Sequence, residues 1–163
     1  MSKIVLNNKT TMEHFRENLE ELISENKLSL RQLEKESGVS AMQYSRYLRN
    51  SIPTIEVTMK IAKYFNCSID FLFGLDNAPN RNKYKTYDYD ITQFVPRYLS
   101  ILKENKISHY KFSMTQPFNE SILRHWQAGR VPRLDIVYLI ANYFGSSMDY
   151  LIGRYWDERY KNY

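Results

Sequence analysis

Arg31, Lys35, Arg46 and Arg49 stand close together in the first half of a 163-residue chain, against two acids, Glu34 and Glu36. Cations at that density on two short helices suit contact with the phosphates of a nucleic acid. A catalytic set is absent. His14, His109 and His125 have neither metal-ligand spacing nor an acidic partner pattern. Cys67 is the only cysteine and reads as a small buried residue, not a nucleophile. With one cysteine no intrachain disulfide forms, which fits a reducing cytoplasm. Five glycines leave no Gly-rich phosphate loop. The expectation is a protein that is not an enzyme and holds no metal or cofactor. No apolar leader opens the chain and no run approaches a membrane span.

The elements that position those cations occur twice. Glu25-Asn26-Lys27 with Ser29 returns as Glu104-Asn105-Lys106 with Ser108. Ala62, Tyr64, Phe65, Ser68, Asp70, Leu72 and Gly74 return 79 residues later as Ala141, Tyr143, Phe144, Ser147, Asp149, Leu151 and Gly153. Pro53 pairs with Pro132, and Cys67 with Ser146. Residues 15–74 and 94–153 align without a gap, as a duplicated domain would. Units of about 60 residues are marginal alone, so the copies are expected to lean on each other, on the tail or on a second subunit. The net charge is +5, but it is uneven. Residues 12–76 carry 8 basic and 10 acidic groups, giving −2; residues 93–154 carry 8 and 4, giving +4.

Each copy reads as five short helices, so the expected fold is all-α, two tandem five-helix domains joined by a short polar linker. The expected boundaries are 10–75, a linker over 76–91, 92–154, and an aromatic tail over 155–163. In copy one, Thr10-x-x-Glu13, Ser29-x-x-Gln32 and Ser40-x-x-Gln43 are capping boxes, and Thr54 and Ser68 are further caps. In copy two Asp90 or Thr92 opens the first helix with Pro96 in its first turn, and Ser108, Asn119 and Ser147 cap later helices. Asn50 exchanges with Gly129 and Asn66 with Gly145, each just past a helix end. Both asparagines are therefore expected at positive φ. The linker tyrosines Tyr84, Tyr87 and Tyr89 read as packing residues, and Trp156 and Tyr160 as an aromatic face of the tail. The 17 residues between the copies reach at most roughly 55–60 Å when extended.

The second and third helices are joined by Glu36-Ser37-Gly38-Val39-Ser40, a helix, a glycine turn and a helix. Leu28-Ser29, Leu33, Gly38-Val39-Ser40, Tyr44-Ser45-Arg46-Tyr47, Pro53, Ile61-Ala62-Lys63-Tyr64-Phe65 and Ser68-Ile69-Asp70-Phe71-Leu72 resemble the Cro/CI-type (XRE-type) DNA-binding domain. Copy two resembles it through residues 123–132 and 140–144. The resemblance implies a sequence-specific regulator of double-stranded DNA, a repressor by default because no effector domain is seen. It implies base-reading positions in the first turns of the third helix: Ala41, Met42, Gln43, Ser45 and Arg46. Gln43 suits adenine and Arg46 guanine. Arg31, Lys35 and Arg49 suit phosphate. The matching positions of copy two are Glu120, Ser121, Ile122, Arg124 and His125, followed by Arg130 and Arg133.

Copy two departs from the family. Pro117 replaces the turn glycine, and proline cannot adopt the left-handed turn. Glu120 repels phosphate. Copy one departs with Glu34 where a small residue is usual, and with Leu30 and Ala41 where the family often begins helices two and three with Gln; copy two has His109 and Glu120 there. Copy one is the better base reader. The rival reading is a protein-binding inhibitor or adaptor, of phage or mobile-element origin, that reuses the fold. Double-stranded DNA, a second copy through the tail or second domain, or a protein are the expected partners.

Overall fold

The structure is a computed structural model that describes residues 8–76 and 88–154, with side chains from residue 12 onward. The first half runs α1 (Asn8–Glu25), α2 (Leu30–Ser37), α3 (Ala41–Tyr47), α4 (Ile55–Phe65) and α5 (Ile69–Leu72). The second half opens with a 3₁₀ turn (Ile91–Gln93), followed by α6 (Phe94–Glu104), α7 (His109–Ser113), α8 (Ile122–Gln127), α9 (Leu134–Phe144) and α10 (Met148–Leu151). All regular structure among the described residues is helical. The fourth and fifth helices of the halves coincide residue for residue at the 79-residue offset; the second and third do not.

The caps explain most helix starts. Ser29 with Gln32 and Ser40 with Gln43 form reciprocal capping boxes, and Thr54, Ser68, Ser108 and Ser147 each accept an amide of the first turn. Asn66 (φ 50) and Asn50 (φ 70) take the left-handed conformation, as do Gly145 (φ 63) and Gly129 (φ 97). Two expected starts differ. Helix α1 begins at Asn8, so Thr10 lies within it. Asn119 does not cap α8, which starts at Ile122; its carbonyl instead accepts from the Ile122 amide at 3.0 Å. Ile91, expected in the linker, opens the 3₁₀ turn, where Asp90 accepts from the Thr92 amide. Cys67 and Ser146 are both buried, as expected of an aligned core pair. Of the linker tyrosines, Tyr89 packs against the core. Tyr84, Tyr87, Trp156 and Tyr160 lie outside the described residues.

A single apolar cluster runs through both halves. Phe15 packs on Phe73 at 5.0 Å, and Phe73 lies 6.2 Å from Tyr138 of α9. Across this junction α5 meets α10, and each helix receives a carboxylate from the other half. Asp149 Oδ1 accepts from the Ile69 amide at 3.1 Å and Oδ2 from the Asp70 amide at 3.0 Å. Asp70 Oδ1 accepts from the Met148 amide at 2.7 Å and Oδ2 from the Ser147 hydroxyl at 2.5 Å. The bonds Ile69-to-Asp149 and Met148-to-Asp70 are the same bond at the 79-residue offset. Residue i binds j and j binds i, the signature of an isologous contact about a twofold axis. Helix-start amides have no intrahelical partner. A buried donor left without one costs about 1–3 kcal/mol. Each half therefore satisfies only part of its own fifth helix start, through Ser68 or Ser147, and takes the rest from the other half.

Backbone passes tightly where the second half closes. A Cβ built on Gly153 (φ +83) would stand 2.1 Å from the Asp90 carbonyl oxygen, whereas one on Gly129 (φ +97) meets nothing within 4 Å. Both glycines pay the left-handed penalty when replaced, so comparing them isolates the clash. Gly153→Ala should destabilise the chain by about 1–3 kcal/mol more than Gly129→Ala, read from urea-unfolding midpoints.

Candidate nucleic-acid interface

Four local devices hold α2 against α3. Gly38 turns left-handed (φ 73), and its amide bonds the Glu34 carbonyl. Leu33 and Val39 are buried on either side of the turn. Ser37 Oγ donates to the Leu33 carbonyl at 2.6 Å and accepts from the Val39 amide at 3.3 Å and the Tyr44 hydroxyl at 2.7 Å. Glu34 Oε2 accepts from the Ala41 amide, the first of α3, at 3.1 Å. Glu34, which stood out in sequence as too large for its place, reaches along the turn and caps the next helix.

This frame turns one face outward. Arg31, Lys35, Met42, Arg46 and Arg49 are exposed, and Ala41, Gln43 and Ser45 are half-exposed. Met42 is the most exposed large apolar side chain of this half, at 65%. Gln43 is not a free amide. Its Oε1 accepts from the Ser40 amide at 3.0 Å, and its own backbone amide donates to Ser40 Oγ at 3.1 Å. Reading adenine would require Gln43 to leave its capping box. At the rim, Glu36 accepts from the Tyr64 hydroxyl at 2.5 Å, and that bond, aided by burial, pushes the phenol up to about 12.

The second half builds a different connection. Residues 114–121 join α7 to α8, against residues 38–40 between α2 and α3. Helix α7 stops at Ser113, and Gln116 and Phe118 turn inward. Aromatic packing drives this. Trp126 stands edge-on to Phe94 at 5.1 Å and Tyr98 at 5.7 Å, and Phe118 joins them at 6.0 Å. His109 links the start of α7 to the turn before α8. Its Nε2 faces the Glu120 carbonyl at 2.8 Å and so donates, leaving Nδ1 to accept from the Tyr98 hydroxyl at 2.8 Å. Burial raises the Tyr98 phenol, which keeps it a donor.

The sequence-derived positions of this half are therefore split. Glu120 and Ser121 lie in the turn ahead of α8, not in its first helical turn. Ile122 is half-buried, while Arg124, His125 and Arg130 are exposed. Arg133 is tied to Asp135 at 2.8 Å. Sequence reasoning also missed a contrast that the repeat carries openly. Where the first half has Arg31 and Lys35, the second has Tyr110 and Met114, exposed at 58% and 59%.

Residues 19–72 match the family model described as Helix-turn-helix. The first half carries an XRE-like helix-turn-helix. No curated protein and no solved structure matches the chain. Among the described residues no helix is long and apolar enough to cross a membrane.

If Glu34 caps α3, Glu34→Ala should cost about 0.5–2 kcal/mol of stability, and Glu34→Gln, which keeps an acceptor oxygen, should retain most of it. Equilibrium urea unfolding checks both; equal loss in the two variants would remove the capping role.

Proposed function

We propose that this chain is a sequence-specific DNA-binding regulator, built as two helix-turn-helix domains in tandem and acting as a repressor by occupying its site. The observation that carries the reading is the exposed α2–α3 face of the matched segment. Arg31, Lys35, Arg46 and Arg49 surround the first turns of α3 there, and no acid other than Glu34 and Glu36 lies on those helices. An α-helix fits the B-DNA major groove, where arginine bonds guanine bidentately. Arg46 is the base reader of this face, and Arg31, Lys35 and Arg49 hold phosphate.

The twofold contact between the halves extends the reading to geometry. A twofold rotation leaves height along its axis unchanged, so in this reading α3 and its counterpart α8 are carried on the same side of the junction. Residues 52–55 and 131–134, which follow α3 and α8, meet at the same offset to line one cleft. One chain thus presents two heads as a dimer would, but with different residues on each: Ala41, Met42 and Gln43 against Glu120, Ser121 and Ile122. Its operator is two unlike half-sites. The natural spacing is one helical turn, about 34–36 Å from centre to centre.

Tyr110 and Met114 favour a second reading for the second half alone. Exposed apolar side chains in place of phosphate-binding cations suit a protein surface, so that half would hold a protein while the first holds DNA.

A salt titration on duplex DNA separates the two. Each phosphate contact adds about −0.9 to the slope of log K against log salt. Tyr110→Arg with Met114→Lys steepens the slope by about two contacts if the second half lies on DNA, and leaves it unchanged if that face holds a protein. A flat slope for the unaltered chain would remove the DNA reading altogether.

Arg46→Ala should weaken specific binding by about 1–3 kcal/mol and relax preference at one base pair. Lys35→Ala should weaken all duplexes alike. Competition titrations against specific and random duplexes distinguish these outcomes. On an operator with two unlike half-sites, the mass of the complex should correspond to one chain.

A further inference from the structure

The two carboxylates at the junction do more than cap helices. Asp70, Asp149, Ser147 and Arg154 are all buried, each at 1% exposure or less. Besides the amide of the opposite helix, Asp149 Oδ1 takes Arg154 Nη1 at 2.9 Å, and the same nitrogen donates to the Cys67 carbonyl at 3.0 Å. The two carboxyl groups are neighbours at the junction: Asp149 takes the amide of Asp70 itself, and its charge disfavours a second one on Asp70. A carboxylate only accepts, so a hydrogen bond between the two would need a proton on one of them.

Among the described residues the surrounding charges have partners of their own. Arg154 lies on Asp149. From the first half, the nearby ion pair is Lys63 with Asp88 at 3.2 Å, and Asp88 also feels Arg154. Asp76 follows α5, and its amide bonds the Asp70 carbonyl oxygen. On the second-half side, Arg97 of α6 donates to the Tyr150 carbonyl and lies 4.5 Å over its ring. Among the described residues, the donors on the Asp70 carboxyl are neutral: the Met148 amide and the Ser147 hydroxyl.

We propose that Asp70 and Asp149 share one proton, and that this shared proton positions the two helix-turn-helix halves in the register that presents α3 and α8 to one face of DNA. The DNA part rests on the function proposed above; the proton part does not. Burial, then the negative charge of Asp149 beside it, push the Asp70 carboxyl well above the usual carboxylate range. A folded-state value raised above the unfolded one gives stability that is complete below the unfolded value, about 3.9. That stability is lost as pH rises through the folded value. The junction is thus firmest in mild acid and loosens as pH rises, when two buried negative charges face each other. Asp70 and Asp149 are positioning residues: they touch no DNA and act through the packing of α5 on α10.

The test uses the full chain. Its infrared spectrum in D2O at neutral pH should show a protonated carboxyl band. Asp70→Asn, which mimics the protonated form, should abolish the band. Absence of the band in the unaltered chain would overturn the shared proton. In thermal unfolding, the proton-linked part of the folding constant should fall by up to tenfold per pH unit from about 3.9 up to the folded value, and Asp70→Asn should lose that component. Parallel pH profiles for the two proteins would overturn it as well. Asp149→Asn should be the more damaging variant, because Arg154 then loses its buried carboxylate; the reverse order would refute the assignment. On duplexes carrying both half-sites or only the first, the advantage of two sites should shrink with rising pH in the unaltered chain and persist in Asp70→Asn. If the infrared and thermal results hold while duplex affinity never depends on the second half-site, the two-headed reading fails and the shared proton stands.

Discussion

Each short fifth helix starts on amides that its own half cannot satisfy, and the carboxylate that satisfies them comes from the other half. Asp149 serves Ile69 and Asp70; Asp70 serves Met148 and Ser147. The rest of the structure follows from this exchange. It forces α5 and α10 together and draws Phe73 toward Tyr138. It fixes the angle between the halves and hence the separation of α3 and α8. A linker of seventeen residues would have let two independent heads wander over tens of ångströms. The buried contact, not the linker, sets their spacing.

Comparing the halves at the 79-residue offset also shows where they agree and where they part. Helices α4 and α9 keep the same bounds at the 79-residue offset, as do α5 and α10, because they build the core and the junction. The second and third helices face outward, and there the halves part. Gly38 became Pro117 in position, and the three-residue turn became an eight-residue stretch. Phe118 and Gln116 fill the space that a longer α7 would have taken. His109 then ties α7 to the new turn through Tyr98 and the Glu120 backbone. A surface element can be rebuilt this way when an aromatic cluster, here around Trp126, supplies the packing that the glycine turn had supplied.

Much of this was legible from residue types. Ser29 with Gln32, Ser40 with Gln43, Thr54, Ser68, Ser108 and Ser147 mark helix starts because capping is local chemistry, settled within four residues. Asn50 and Asn66 could be placed at positive φ because each exchanges with glycine in the other copy. What was not legible depended on distance or on competition. Asp70 and Asp149 were visible as a repeated pair, yet nothing local says that each serves the other's helix across 79 residues. Gln43 has the right amide for a base, but the same amide is the third residue of a capping box, and the box takes it. Glu34 looked misplaced because its neighbours in sequence do not include Ala41, its neighbour in space. Asn119 has the right type for a cap, but the aromatic cluster moved the helix start past it.

A symmetric dimer of identical chains could not have reached this arrangement. In an isologous contact every substitution appears twice about the axis. An arginine added beside one aspartate would face its copy beside the other, and two buried cations would neutralise both carboxylates. Here the position matching Arg154 is Leu75, and among the described residues the buried guanidinium is paired with Asp149. The pair is left one positive charge short, and a proton fills the difference. Carrying both halves on one chain therefore permits two things at once. It lets the exposed third helices differ without losing the contact that holds them side by side. It also lets the contact itself be asymmetric, and a symmetric cap exchange becomes a junction sensitive to pH.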